Sequence, residues 1–140
     1  DSNGDSWIQF LTDDSLPASN PPWGYVAKLD LVTGKLKWKK TIGKKLINNK
    51  WVETGSSIFG GVALNKNGIL FVTGTDDNFI YAIDSKTGKE LWSYEMEASG
   101  SAPPIIYEID GKEYLSVVST GGNYHNYKKK DSSIYTFSVN

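Results

Sequence analysis

Leu29-Asp30-Leu31-Val32-Thr33-Gly34-Lys35-Leu36-Lys37-Trp38 returns later in the chain as Ile83-Asp84-Ser85-Lys86-Thr87-Gly88-Lys89-Glu90-Leu91-Trp92. The two tryptophans stand 54 residues apart, and Asp, Thr, Gly, Lys and Trp all match across the ten aligned positions. An apolar residue precedes an aspartate that can cap the turn through nearby backbone N–H groups. Thr-Gly then makes the reversal, glycine tolerating the positive φ a tight turn demands. The tryptophan falls at a fixed height on the strand that follows. Two unrelated hairpins would share turn residues, but not this many positions. A strand–turn–strand unit recurring at about 50 residues is a propeller signature, each blade being one small antiparallel sheet. A tryptophan buries on the order of 200 Å², enough to fasten one blade to the next when repeated around a ring.

Outward from the repeat, short runs rich in β-branched and aromatic residues recur at 24–31, 36–41, 69–75, 79–84, 90–94, 105–109, 113–119 and 133–139. No segment sustains the i, i+3, i+4, i+7 apolar spacing of an amphipathic helix. Asp110-Gly111, flanked by Ile109 and by Tyr114-Leu115, is a strong two-residue hairpin signal and predicts a hairpin over 105–119. Residues 43–57 and 121–131 are loops by composition, and loops of that length in β proteins often carry function. The expected fold is all-β: a partial β-propeller of about two to three four-stranded antiparallel blades. Residues 1–140 form a single piece with repeat motifs at 29–38 and 83–92 and a final strand at 133–139. Propellers typically need four to eight blades, and fewer leave open sheet edges and uncovered apolar faces. The piece is therefore expected to belong to something larger or to associate with itself.

Composition removes several function classes. Among 140 residues, 15 basic and 16 acidic side chains nearly cancel, which argues against a nucleic-acid surface. No run approaches the roughly 18 apolar residues of a membrane span. Cysteine is absent, so there are no disulfides and no thiolate metal sites. The polar opening Asp1-Ser2-Asn3-Gly4-Asp5 reads as a cut edge or a loop. It imitates the start of a calcium loop, but the distal glutamate such a loop needs does not follow. The chain has no phosphate-cradling loop, no nucleophile–histidine pair and no His-Cys cluster.

The repeat resembles the tryptophan-docking motif of the eight-bladed quinoprotein dehydrogenases, which use pyrroloquinoline quinone (PQQ). Pro22-Trp23-Gly24-Tyr25, Trp38-Lys39-Lys40-Thr41-Ile42-Gly43, Phe59-Gly60-Gly61, Gly68-Ile69-Leu70-Phe71 and Gly74-Thr75-Asp76-Asp77-Asn78 are similar to the matching stretches of membrane-bound glucose dehydrogenases. The hairpin from Pro104 to Gly122 continues the likeness, which covers about residues 21–139. The resemblance implies the C-terminal part of a periplasmic enzyme, membrane-anchored through a missing N-terminal part. Such an enzyme oxidises a sugar, glucose-like, or another alcohol and passes electrons to ubiquinone or a cytochrome. Its PQQ and a calcium or magnesium ion would sit in the propeller funnel. The catalytic aspartate and the metal ligands would lie in blades outside this chain, leaving this piece inactive alone and dependent on the remaining blades.

The resemblance also nominates cofactor-side residues. Phe59-Gly60-Gly61 matches the segment that approaches the cofactor, where glycine allows close backbone approach; the plainer alternative is a strand-entry turn with Phe59 in the core. Asp77 matches a position near the funnel, where a carboxylate would tune the site, although Asp-Asp-Asn between strands is also ordinary hairpin chemistry. Glucose dehydrogenases of this type carry a histidine directly after the Gly-Gly pair, where this chain has Asn123. Either Asn123 replaces it, or the loop is re-registered and His125, the only histidine, does that work. Trp51 has no partner in the repeat and reads as a loop residue packing on the blade or covering a contact. Lys128-Lys129-Lys130 reads as a solvated face. A non-catalytic propeller scaffold built on the same repeat is the competing expectation.

Overall fold

The computed structural model of the chain describes residues 10–121 and 129–139. Among the described residues all regular structure is β, in eleven strands. Strands β1 (Tyr25–Leu29) and β2 (Leu36–Thr41) form an antiparallel pair. Strands β5 (Gly61–Leu64), β6 (Ile69–Thr73), β7 (Phe79–Asp84) and β8 (Glu90–Glu95) make a four-stranded meander. Strands β9 (Ile105–Ile109), β10 (Lys112–Gly121) and β11 (Lys130–Val139) make a three-stranded sheet in the order β11-β10-β9. One full blade thus stands between two partial ones, as a partial β-propeller requires.

The two Asp-Thr-Gly turns fold alike. Asp30 Oδ1 accepts the Val32 and Thr33 N–H groups at 3.0 Å each, and Asp84 Oδ1 accepts those of Lys86 and Thr87 at 2.7 and 2.9 Å. Gly34 and Gly88 take φ of +68° and +76°, and each donates its N–H to the carbonyl of the turn's aspartate. The same ladder irregularity precedes both turns, between Lys28 and Leu29 and between Ala82 and Ile83. Trp38 then reaches across to the next sheet. Its Nε1–H donates to the Ser85 carbonyl at 3.1 Å. Its ring lies so close to Gly88 that a Cβ there would come within 2.9 Å of Trp38 Cδ2.

The full blade is covered on both faces, which is why β6 and β7 read as near-continuous apolar runs. Side chains alternate across a sheet with period two. One side, Val72, Tyr81 and Ile83 with Leu70, packs with Val26 and Trp38 of the preceding pair and with Ile42 just beyond it. The other, Phe71, Ile80 and Ala82, packs with Met96 and with Leu115 and Val117 of β10. Burying one such aliphatic side chain is worth about 1.5–3 kcal/mol, so these two seams hold the three sheets together.

The structure corrects the sequence reading in three places. Within 43–57, expected as loop, β3 (Lys45–Ile47) and β4 (Lys50–Val52) form a small hairpin. Its turn is Asn48-Asn49, both at positive φ, which asparagine tolerates better than most residues. Three-residue arms are too short for periodicity to reveal. Strand β5 was not expected at all, because four residues after a glycine pair carry no readable alternation; it exists because β6 supplies its ladder. The second long loop is shorter than expected, since β10 runs on to Gly121 and β11 begins at Lys130. The Asp110-Gly111 hairpin forms as read, with φ of +51° and +76°. Trp51 lies on β4, about half exposed. The opening Asp1 to Asp5 and Lys128 lie outside the described residues.

Candidate functional site

In a four-stranded meander the β6–β7 turn lies at the end opposite the Asp-Thr-Gly turns. The entry to β5, the β8–β9 connection and the far end of β10 gather there too. Backbone contacts knit these segments into one cluster. Phe59 N–H donates to the Gly74 carbonyl at 3.0 Å, and Gly121 N–H donates to the Ser99 carbonyl at 2.8 Å. Ser99 Oγ–H donates to the Thr75 carbonyl at 2.8 Å, Thr73 Oγ1–H to that of Ala102 at 3.2 Å, and Ser101 Oγ–H to that of Gly121 at 2.9 Å. Phe59, Gly60, Gly61 and Asp77 therefore belong to one end of the molecule. Asn123 and His125 lie outside the described residues.

Each nominated residue has a distinct environment. Gly60 is buried with no room for a side chain: a Cβ would come within 2.3 Å of the Gly100 carbonyl oxygen and of Thr73 Oγ1. The backbone at Gly100 and the Thr73 side chain make the close approach that requires a glycine here. Gly61 differs, with φ of +89° and only the Pro103 ring, at 3.6 Å, near a notional Cβ. Phe59 is 37% exposed rather than part of the core. Asp77 is 3% exposed. Its Oδ1 accepts Thr75 Oγ1–H at 2.6 Å and Phe79 N–H at 3.3 Å, and its Oδ2 accepts the Tyr81 hydroxyl at 2.5 Å. Asp77 thus performs the hairpin chemistry, while remaining a buried carboxylate at the loop end of the sheet. Burial first, then the Asp77 charge and its hydrogen bond, pushes the Tyr81 phenol far above its ordinary pKa, so it stays a donor.

Asp76, beside Asp77, carries an element that the sequence reading missed. Its carboxylate pairs with the Lys45 ammonium, both buried, and its N–H donates to Ser56 Oγ at 3.0 Å. Nothing in the spacing of Lys45 and Asp76 announced this, because they lie 31 residues apart on a connector and a turn. Between β2 and the full blade lies a polar cleft of about 300 Å³. Its Lys40 pairs with Glu90 at 3.4 Å, and its Lys44 lies over the Phe79 ring. Among the described residues no three His, Cys, Asp or Glu side chains gather to hold a metal ion. The cluster is a rim, offering an exposed ring at Phe59, an open glycine at Gly61 and a buried anion at Asp77.

Comparison with known proteins bears on what such a rim serves. Residues 2–115 match the family described as "PQQ: Glucose/ethanol/alcohol dehydrogenase, beta-propeller domain". The chain is 37% identical to quinoprotein glucose dehydrogenase A of Acinetobacter calcoaceticus over 118 residues, covering 80% of this chain and 15% of that protein. It is 35% identical to the quinoprotein glucose dehydrogenase of Escherichia coli (strain K12) over 121 residues, 81% of this chain and 15% of that protein. Among solved structures, a quinohemoprotein alcohol dehydrogenase from Comamonas testosteroni superposes with a TM-score of 0.66 at 26% identity, covering 90% of this chain and 18% of that one. The chain spans less than a fifth of the length of these relatives.

Proposed function

The chain belongs to the PQQ glucose/ethanol/alcohol dehydrogenase β-propeller family, and we propose from this that it is the C-terminal part of a quinoprotein dehydrogenase oxidising a glucose-like sugar or another alcohol. The observation that carries the reading is the extent of the family match. It spans both tryptophan repeats, Phe59-Gly60-Gly61 and Asp77, so it reaches beyond what a bare scaffold needs. PQQ, when bound, supplies the hydride acceptor, and a calcium or magnesium ion polarises its quinone carbonyl. The catalytic aspartate and the metal ligands belong to blades outside this chain, so the piece alone is inactive. Its own part is to complete the wall. Phe59 presents a ring face to a planar quinone, the open side of Gly61 leaves room for its edge, and Asp77 contributes a buried negative charge behind them. Asn123 or His125 adds a polar contact from the β10–β11 segment. The remaining blades of the parent are the first partner, and ubiquinone or a cytochrome takes the electrons. The parent is periplasmic and anchored through its N-terminal part. No helix among the described residues is long and apolar enough to cross a membrane.

The test is PQQ titration of the full-length protein with and without calcium, followed by dye-linked oxidation of aldoses and primary alcohols. Saturable PQQ binding with substrate-dependent dye reduction is the expected result. Failure to bind PQQ under either condition would leave a propeller scaffold as the better reading.

A further inference from the structure

The Lys45–Asp76 pair has no part in the roles assigned above. Both residues are withdrawn from solvent, at 5% and 2% exposure. A buried ion pair is a poor source of stability, because desolvating two charges offsets most of their attraction. An apolar pair of similar volume often does as well or better. What a charged pair adds is a directional tie between two particular segments. Here the segments are ones that no strand ladder joins: Lys45 opens the connector hairpin at β3, and Asp76 sits in the β6–β7 turn. The contacts around it extend the tie. Ser56 Oγ accepts the Asp76 N–H at 3.0 Å, and Ser56 N–H donates to the Ile42 carbonyl at 3.0 Å. A Cβ on Gly43 would come within 2.3 Å of Ser56 Oγ and 3.1 Å of Thr75 Cγ2. Three residues beyond Ser56, Phe59 reaches the Gly74 carbonyl; one residue beyond Asp76 stands Asp77. A slip of Lys45 against Asp76 would therefore disturb Ser56 and the stretch of chain that leads from it to Phe59.

We infer that Lys45 and Asp76 are a positioning pair for the cofactor rim: their buried ion pair locks the 43–60 connector in register with the Thr75–Asp76–Asp77 turn. The inference rests on the dehydrogenase reading for its purpose, though not for its geometry. Neither side chain is assigned a contact with PQQ.

The experiment uses the full-length protein with Lys45→Met combined with Asp76→Leu, which removes both charges at similar volume. Three quantities are compared with wild type: thermal midpoint, PQQ affinity and backbone amide exchange. The expected result is an unchanged midpoint with PQQ affinity lowered by roughly ten- to a hundredfold, the scale on which outer partners that orient a binding site act. Exchange at the Ser56, Phe59 and Asp76 amides is expected to quicken while β6 and β7 stay protected. Asp76→Asn gives the same comparison at nearly constant volume should the double variant not fold. Wild-type PQQ affinity, wild-type exchange in the connector, or a parallel loss of midpoint and affinity in the double variant would each overturn the positioning role. If the wild-type protein binds no PQQ, the dehydrogenase reading falls, and the exchange measurement alone decides whether the pair holds the connector.

Discussion

Asp84 shows how one side chain organises a turn and ties it to pH. Its carboxylate accepts two backbone N–H groups, and these hydrogen bonds, Thr87 first and Lys86 next, hold it below the usual carboxylate range. Asp30 is lowered in the same way, by the Thr33 backbone first and then by Lys37, which lies 3.1 Å away. A carboxylate whose folded-state pKa is depressed adds stability that is fully present above its unfolded value, about 3.9. That contribution disappears as pH falls through the lower folded value. Replacing Asp84 with Asn is therefore expected to lower the thermal midpoint of the intact protein at neutral pH. The difference from wild type should shrink as the pH drops from about 5 towards 2; a pH-independent difference would show that the charge is irrelevant to the cap. At Asp77 the same residue type has partners that include the Thr75 and Tyr81 hydroxyls in the protein interior. Only position separates these aspartates, and position is what a residue name does not carry.

At the level of elements, the two Thr-Gly turns form an internal control. Both glycines need positive φ, but Gly34 has nothing within 4 Å of a notional Cβ whereas Gly88 lies under the Trp38 ring. Gly34→Ala should cost only the left-handed backbone penalty, about 1–2 kcal/mol. Gly88→Ala should cost that plus a displaced indole, a further ~1–3 kcal/mol of overpacking. It should also weaken the Trp38 Nε1–H bond to Ser85. Chemical denaturation of the two variants with tryptophan fluorescence checks the order; equal losses would mean that the docking contact contributes nothing. Much of this element was legible beforehand, because turn chemistry is local: Asp, Thr-Gly and Trp act within ten residues of one another. Strand β5 and the β3–β4 hairpin were not. The arms are too short to carry a period, and a four-residue strand owes its existence to the partner beside it.

For the whole molecule, the second tryptophan is placed differently from the first. Trp38 docks on the turn of the following blade, but Trp92 meets Phe137 edge-on at 5.1 Å and stays 38% exposed beside an apolar cleft of about 310 Å³. If a further segment of the parent docks there as Ser85 and Gly88 dock on Trp38, then Trp92→Ala in the intact protein should cost as much as Trp38→Ala, about 3–5 kcal/mol. A nearly neutral Trp92→Ala would mean that the cleft stays open. By itself the sequence determined the class of fold, the repeat, its turns and the family resemblance, because each is written in short-range chemistry at a fixed spacing. Only the tertiary structure decided the surroundings of Phe59, Gly60, Gly61 and Asp77. Gly60 is filled by Gly100 and Thr73, and Asp77 is spent on hydroxyls of its own sheet, while Phe59 and Gly61 stay open. It alone joined Lys45 to Asp76. Burial and ion pairing across 31 residues depend on how separate sheets come to rest against each other, which no local pattern encodes.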